Sequence, residues 1–365
     1  MTAAIKSVLH EVQEQQGAEF MEDAGWTWTT TFGDAQAEYD AIRSGVSMWD
    51  VYGLQKFHVT GRDAGQALQR VFANDLSALA VGQVRYGPFV DASGAMVDDG
   101  TIYKLGDDSF WMMTNNESAG DYLREHAGGL TVDVAYRTHE MPVISVQGPG
   151  SRDLLARLTD ADIHGLRYFR FLPEKVRVAG IAVWLTRTGF SGELGFELFP
   201  AREDAVALWS ALAAEGVVGV GLDAVEVARV EAGLVIVGVD YTPGETSPFD
   251  LSMDKTIATG KDLPILGLEV LRATAAAPPR RFKTLRVGGD TLPEYGAAVL
   301  DGETVVGTLT SPVDSPPLGQ IGLAILETPV AGNGTELSVA VGDGLVTAVV
   351  DDLSVLDPAK TKPRS

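Results

Sequence analysis

Residues 186–200 read T-R-T-G-F-S-G-E-L-G-F-E-L-F-P, and the elements around them are best understood from this stretch. An apolar strand at 181–185 runs into a turn with three glycines, then emerges as an alternating strand that carries two glutamates. The glycines at 189, 192 and 195 permit backbone conformations closed to other residues. The chain can therefore bend tightly here against a ligand or a neighbouring strand.

The glycines do not predict a dinucleotide-binding loop, because such a loop must feed a helix whose N-terminus holds phosphate. Here a strand follows the glycines, and the next helix begins only after Pro200. The carboxylates of Glu193 and Glu197 suit a ligand with hydrogen-bond donors in a row, such as the edge of a pterin or a guanidine. A tight β-turn with two surface glutamates is the alternative that this stretch alone leaves open.

The composition indicates a globular protein with a strong acidic excess. Its 365 residues include 28 basic and 50 acidic side chains, for a formal charge of -22, which argues against nucleic-acid and membrane partners. The chain has no cysteine, and its five histidines are scattered, so no metal site is predicted. Neither a secretory signal nor a membrane-spanning apolar run is visible, so a cytoplasmic location is expected.

Three units are predicted along the chain. An α/β unit covers 1–140, a second α/β unit covers 141–275, and a β-rich unit covers 280–365. The clearest linker is A-A-A-P-P-R-R at 275–281. Six short strands in about eighty residues predict a small barrel or jelly roll for the last unit.

Two short patterns carry charged residues that could form a site. Asp98 and Asp99 are adjacent in a predicted strand, so they point to opposite faces and at most one can face a pocket squarely. Adjacent acids are also common at turns and strand edges. In the helix predicted over 223–233, Val225 and Arg229 share one face. Arg229 could pair with a buried acid or hold an anionic ligand.

Ten motifs occur in an order that resembles a known family. They are A-G-W at 24–26, W-D-V at 49–51, N-D-L at 74–76, G-Q-V-R-Y at 82–86, D-A-S-G-A-M-V-D-D at 91–99, T-N-N at 114–116, Q-G-P-G at 147–150, R-T-G-F-S-G-E-L-G-F-E at 187–197, G-L-D-A-V-E-V-A-R-V-E-A-G-L at 221–234 and V-V-G-T-L-T-S at 305–311. Together they resemble the glycine-cleavage T-protein (aminomethyltransferase) family of tetrahydrofolate-dependent one-carbon enzymes. Each motif is modest alone, but the collinear set covers the chain from about residue 24 onward.

The resemblance implies an α+β fold of three domains in a cloverleaf-like arrangement, with a C-terminal β-barrel and tetrahydrofolate in a central channel. It implies that Asp99 is the catalytic aspartate beside the reactive folate nitrogens, where a carboxylate can stabilise cationic charge or relay a proton. Glu197 matches the glutamate that accepts hydrogen bonds from the pterin amino group and ring N–H. Tyr86 and Asn115 match pocket positions that contact the cofactor.

Further cofactor contacts are expected from the same resemblance at Phe190, Arg229 and Glu193, although a structural role is the alternative for Glu193. Lys362 and Arg364 fall where the family places a residue near the folate glutamate moiety. Solvation is the alternative for these two basic side chains.

Three departures from the family pattern concern the place where the one-carbon donor should enter. The D-V-S-H-M of the glycine-cleavage members is D-V-Y-G-L at 50–54, which puts Tyr52 in the donor region. The expected arginine after G-L-x-A is Val225, and the tyrosine of G-Y-T-G-E is Phe190, which keeps the ring and loses the hydroxyl. Tyr52 and Val225 are therefore predicted to contact the donor.

These departures predict a methyl transferase that demethylates a small O-, N- or S-methyl donor onto tetrahydrofolate. One alternative is the glycine-cleavage aminomethyltransferase itself, with a lipoylated carrier protein as the donor. Another alternative is a non-catalytic folate-binding accessory protein, whose relatives carry a cysteine-containing K-G-C-x-x-G-Q-E motif. This chain has R-T-G-F-S-G-E-L and no cysteine.

Overall fold

The computed structural model describes residues 4–365, so residues 1–3 of the first predicted unit lie outside the described part. The strands are β1 (Glu19–Asp23), β2 (Trp26–Thr31), β3 (Ser47–Asp50), β4 (Gln55–Thr60), β5 (Val84–Val90), β6 (Met96–Gly106), β7 (Ser109–Thr114), β8 (Asp133–Tyr136), β9 (Ile144–Gln147), β10 (Val176–Val178), β11 (Ile181–Thr186), β12 (Gly195–Pro200), β13 (Val218–Gly219), β14 (Arg280–Val287), β15 (Ala298–Asp301), β16 (Thr304–Ser315), β17 (Gly319–Glu327), β18 (Glu336–Val341) and β19 (Gly344–Asp351). The α-helices are α1 (His10–Gln15), α2 (Ala35–Ser44), α3 (Ala64–Val71), α4 (Ala119–Ala127), α5 (Ser151–Leu158), α6 (Ala205–Ala214), α7 (Leu222–Glu231) and α8 (Leu268–Ala276).

The first large sheet has the strand order β5-β6-β7-β4-β8. Its long central strand β6 carries Asp98 and Asp99, which lie opposite Phe89 and Pro88 of β5. Directly after them, Gly100 lets β7 approach closely, since a Cβ at this position would lie 2.0 Å from the carbonyl oxygen of Met113. Helices α3 and α4 cover the sheet with apolar side chains such as Leu68 and Leu123, so the two aspartates sit on a rigid, buried strand.

The second large sheet has the order β10-β11-β12-β9-β3-β13 and carries the glycine-rich bend between β11 and β12. Strand β3 comes from the N-terminal part of the chain, yet it is an interior strand beside β9. This sheet therefore combines residues from both sides of the predicted boundary at residue 140. The division into three units stays a prediction.

The last six strands form a closed barrel in the order β14-β17-β16-β15-β18-β19. Its interior is filled by alternating apolar side chains, among them Leu285, Leu309 and Val339. Alternation with a period of two residues suits such a barrel, because side chains along each strand point alternately to the interior and to the exterior. The predicted β-rich final unit, and the mixed α+β class of the whole chain, are confirmed.

Helix α7 connects these layers, since it packs against α2 and against barrel strand β16. Within residues 4–365, no helix has the length and apolar character needed to cross a membrane.

Candidate active site

Asp99 lies at the centre of a hydrogen-bonded cluster of side chains from separate segments. The Tyr86 hydroxyl donates to its Oδ2 at 2.9 Å, and the Tyr241 hydroxyl donates to its Oδ1 at 2.6 Å. Asn115 donates through Nδ2 to the same Oδ1 at 3.2 Å. The structure thus brings the predicted residues Tyr86, Asn115 and Asp99 together, and it adds Tyr241.

Asp98 faces the other way and organises the chain after β7. It accepts hydrogen bonds from the backbone N–H of Asn116 at 2.9 Å and from Nδ2 of Asn115 at 2.8 Å. The backbone N–H of Asn115 also donates to this carboxylate. Asp98 therefore holds in place the turn that delivers Asn115 to Asp99.

The carboxyl group of Asp99 is easier to protonate than an exposed aspartate. Its pKa is raised to about 7: burial contributes most to the rise, the charges of Asp98 and Asp240 add to it, and the Tyr241 and Tyr86 hydroxyls oppose it. Desolvation disfavours the charged form, and donors to the carboxylate favour it. A group that titrates near neutral pH is well suited to proton relay.

Glu197 on β12 is the second buried carboxylate predicted for the site. The Thr188 hydroxyl donates to its Oε2, and no donor from residues 4–365 contacts its Oε1. Burial raises the pKa of Glu197, whereas Thr188 and the positive charge of Lys56 lower it. An oxygen left without a protein donor on a side chain that is only 9% exposed can accept hydrogen bonds from a ligand.

The glycine-rich bend fits closely around one side chain of the neighbouring strand. Gly189 and Gly195 lie against Gln147, and a Cβ at either position would fall within 2.2 Å of its Oε1. Ser191 donates to that oxygen at 2.8 Å. Only Gly192 of the three glycines has a positive φ, of 74°. The bend is thus closed against a neighbouring strand, which fixes where Glu197 emerges from it.

Lys56 is a buried cation beside Glu197 that the sequence did not single out. Its ammonium donates to the carbonyl oxygens of Tyr52 at 3.2 Å and Leu54 at 2.7 Å, and so holds the turn that replaces the family's D-V-S-H-M. Burial lowers the pKa of Lys56 to about 7, while the charges of Asp50 and Glu197 raise it. An isolated lysine inside the alternating Q-K-F-H-V strand gave the only signal for this role.

Tyr168 lies near enough to both carboxylate regions to interact electrostatically with Tyr86 and Glu197, and the sequence analysis missed it. Its presence raises the pKa of Tyr86. Its own pKa is raised to about 12, chiefly by burial; the charge of Arg364 lowers this pKa and that of Glu197 raises it. The next residue, Phe169, has a φ of 58°, a left-handed conformation that a bulky residue rarely adopts. Such outliers concentrate at functional sites, but nothing in L-R-Y-F-R-F predicts this one.

Arg229 has protein partners for its whole guanidinium, and its predicted contact with the cofactor stays a prediction. Its guanidinium contacts Asp240 at 2.7 Å, Ser311 at 2.6 Å, the carbonyl oxygen of Leu234 at 3.1 Å and the carboxylate of Glu226. These bonds occupy all five N–H groups of a fully buried side chain. Of the two alternatives left open, the structure shows the buried ion pair.

Replacement of Arg229 by methionine is expected to lower the free energy of unfolding by about 3 to 5 kcal/mol, because Asp240 would stay buried without its counter-charge. Urea unfolding followed by tryptophan fluorescence measures the change. Arg137→Met is the control, since Arg137 pairs with Glu140 on the surface and should cost less than about 1 kcal/mol. A loss for Arg229→Met no larger than that of the control would contradict the prediction.

The carboxylate of Glu193 is paired within the protein, and its predicted contact with the cofactor stays a prediction. Arg43 donates to its Oε1 at 3.0 Å, and Lys362 donates to the same oxygen at 2.8 Å. Glu193 therefore links α2 to the C-terminal segment, which is the structural alternative. The same contact gives Lys362 a partner other than a folate carboxylate.

Tyr52 and Val225, the two residues predicted to contact the one-carbon donor, have different surroundings in the structure. The Tyr52 hydroxyl lies within hydrogen-bonding distance of the backbone of Thr27 and of the carbonyl oxygen of Ile5, so it anchors the N-terminal segment. Its contact with the one-carbon donor stays a prediction. Val225 packs in an apolar cluster that Phe190 joins, and the Phe190 ring lies 6.4 Å from that of Trp49. For Val225 and Phe190 the ligand contact stays a prediction.

No group of three or more metal-ligating side chains was found among residues 4–365. Two surface cavities of about 390 and 320 Å³ lie elsewhere, and neither is lined by Asp99 or Glu197. The chemistry that the described residues offer is therefore that of two buried carboxylates: one held by phenols, and the other with an oxygen free of protein donors.

Comparison with known proteins gives consistent results over almost the whole chain. Two family models match, the GCVT N-terminal domain over residues 9–261 and the glycine cleavage T-protein C-terminal barrel domain over residues 280–357. An aminomethyltransferase from Geobacillus thermodenitrificans is 33% identical over 343 residues, which cover 92% of this chain and 93% of the relative. A trimethylamine-oxide aldolase from Ruegeria pomeroyi is 34% identical over 345 residues, which cover 90% of this chain and 44% of the relative.

Among solved structures, the glycine cleavage system aminomethyltransferase T from Bartonella henselae has the same fold. It superposes with a TM-score of 0.88 at 24% sequence identity, covering 97% of this chain and 98% of the other. The likeness confirms the predicted T-protein fold with its C-terminal barrel.

Proposed function

The chain belongs to the glycine cleavage T-protein family, and from this premise we propose that it transfers a methyl group from a small O-, N- or S-methyl donor to tetrahydrofolate. Family membership makes it an enzyme, a one-carbon transferase. The observation that carries the proposal is the pair of buried carboxylates, Asp99 on β6 of the first large sheet and Glu197 on β12 of the second.

The residues present fit a reduced pterin. Glu197 offers an oxygen that no described residue contacts, and a pterin presents an amino group and a ring N–H side by side. Lys56 lowers the pKa of Glu197 and so favours the ionised, acceptor-only form that this recognition needs. Tyr168 and Tyr86 supply aromatic surface near the two carboxylates.

Bound tetrahydrofolate would supply the nucleophilic nitrogen N5 that accepts the methyl group. Methyl transfer to that nitrogen would break the bond between the methyl carbon and the donor heteroatom, and the proton released from the nitrogen would pass to the leaving group. Asp99 can stabilise the positive charge on nitrogen when ionised, and it can carry that proton because its pKa is about 7. Tyr86 and Tyr241 keep its oxygens oriented throughout.

A methyl donor is favoured over an aminomethyl donor by the donor region. Glycine occupies position 53 where the family pattern has histidine, and Val225 replaces the expected arginine inside an apolar cluster. Such surroundings suit a small, weakly polar donor. The relative named for trimethylamine oxide supports an N-methyl compound as one candidate class.

Calorimetric binding of tetrahydrofolate, followed by a screen of methyl donors, tests the proposal. We expect saturable binding and the formation of 5-methyltetrahydrofolate with at least one O-, N- or S-methyl compound. Formation of methylenetetrahydrofolate would contradict methyl transfer, and absence of binding would contradict the folate site itself.

Aminomethyl transfer is the second candidate, because relatives such as the Geobacillus thermodenitrificans protein carry that name. Activity with a lipoylated carrier protein and ammonia, measured in the same assay, would favour it over methyl transfer. The cytoplasmic location and the lack of nucleic-acid or membrane partners stay predictions from composition.

A further inference from the structure

The barrel motif V-V-G-T-L-T-S at 305–311 has no part in the function proposed above. Two of its hydroxyl groups nevertheless bond to the segment that follows α7. On β16, Thr310 donates to Oδ1 of Asp240 at 2.5 Å, and Ser311 donates to the same oxygen at 2.6 Å. Asp240 lies outside the barrel, in the segment that follows α7. The motif therefore connects the barrel to that segment.

Asp240 also accepts hydrogen bonds through its second carboxylate oxygen. Its other oxygen, Oδ2, accepts from Arg229 at 2.7 Å and from the backbone N–H of Ile236 at 2.8 Å. The side chain is 1% exposed, so these donors replace water almost completely. The segment that carries Asp240 is thus fixed between α7 and the barrel.

The residue after Asp240 is Tyr241, whose hydroxyl donates to Oδ1 of Asp99 at 2.6 Å. Its ring packs between Met96, at the start of β6, and barrel residues such as Val313 and Ile321. Tyr241 is 3% exposed, so its ring and hydroxyl have little freedom. One short segment therefore connects the barrel motif to the carboxylate of Asp99.

We propose that Tyr241 is a positioning residue for Asp99, and that the C-terminal barrel holds Tyr241 in place through Thr310, Ser311 and Asp240. The inference rests on the proposed function only in taking Asp99 as the catalytic group. It explains why a barrel remote in sequence carries a motif of the family. It also gives Arg229 its role, as the counter-charge that lets Asp240 be buried.

The hydrogen bond from Tyr241 also affects the pKa of Asp99. Tyr86 on β5, Asn115 after β7 and Tyr241 on the segment after α7 donate to its carboxylate, and the charges of Asp98 on the same strand and of Asp240 act on it from nearby. The two aspartates raise the pKa of Asp99, and the two phenols lower it. Removal of the Tyr241 hydroxyl should raise that pKa by about one to two units, because a donor to a charged acceptor is lost.

Infrared spectroscopy measures this titration without folate or donor. The protonated-carboxyl band is followed as pH is stepped from about 5 to about 11, a range that spans the midpoints expected for Asp99 in the unmodified protein and in the variant. Asp50 and Glu197 also have raised pKa values, so the band of Asp99 is assigned by subtracting the spectrum of Asp99→Asn. In Tyr241→Phe the midpoint should move up by about one to two units relative to the unmodified protein.

Two further variants separate positioning from general disturbance. Tyr39→Phe removes another buried phenol, which donates to Glu231 at 2.8 Å, and should leave the midpoint of Asp99 unchanged. The double variant Thr310→Val, Ser311→Ala should raise the midpoint of Asp99 by less than Tyr241→Phe does. An unchanged midpoint in Tyr241→Phe would overturn the role of Tyr241. An unchanged midpoint in the double variant would overturn the role of the barrel. Failure of the methyl-transfer assay would leave both results intact.

Discussion

Replacement of Asp99 by asparagine is expected to lower turnover about 100-fold or more, while the affinity for tetrahydrofolate changes by less than about threefold. The amide keeps the size of the side chain, but only its oxygen can accept, so it retains the hydrogen bond from one of the two phenols, Tyr86 or Tyr241, that now donate to separate oxygens. It loses the negative charge and the capacity to carry a proton. Steady-state kinetics with the donor found by screening, together with calorimetry, separate the two effects.

The pH dependence of the rate gives an independent check on Asp99. Its pKa is raised to about 7, so the ionised fraction grows as pH rises through that value. If the carboxylate stabilises positive charge on the folate nitrogen, kcat/KM should rise through about pH 7 and level off above it, and Asp99→Asn should lack this limb. Unchanged turnover in the variant would remove Asp99 from the chemistry.

Replacement of Glu197 by alanine should weaken tetrahydrofolate binding by about 2 kcal/mol or more, which is roughly 30-fold. The paired donors of the pterin edge would lose their acceptor inside a buried pocket. Because burial raises the pKa of Glu197, binding to the unmodified protein should also weaken as pH falls through that raised value. Calorimetry across a pH series measures both effects.

Glu193→Gln is the matched control for Glu197, since Glu193 is a buried carboxylate of the same bend. Its partners are Arg43 and Lys362, so folate affinity should stay within about threefold even if stability falls. Equal losses in the two variants would indicate a general disturbance of the bend. Affinity indifferent to Glu197→Ala would mean that the pterin binds elsewhere.

Local patterns predicted the fold well wherever neighbouring strands are close in sequence. The six strands after the proline-containing linker form the closed barrel expected from their alternation and turns. The membership of β3 in the second sheet could not be predicted, because its pairing with β9 joins segments about 100 residues apart and neither strand's pattern names its partner.

The site was predicted unevenly, for reasons that differ from residue to residue. Asp99 and Glu197 were found because their motifs resemble the family, and strand alternation allowed only one of Asp98 and Asp99 to face a pocket. Tyr241 was missed because it lies in an irregular segment with no periodicity. The role of Arg229 depends on Asp240, which comes from a loop, so helix spacing alone could not choose between an ion pair and a ligand contact.

A crystal structure of the protein soaked anaerobically with tetrahydrofolate tests the central claim most directly. We predict that the pterin amino group and ring N–H lie on Oε1 of Glu197, and that N5 faces the carboxylate of Asp99. A pterin bound away from Glu197, or side chains that fill the space between the two carboxylates at saturating ligand, would contradict it.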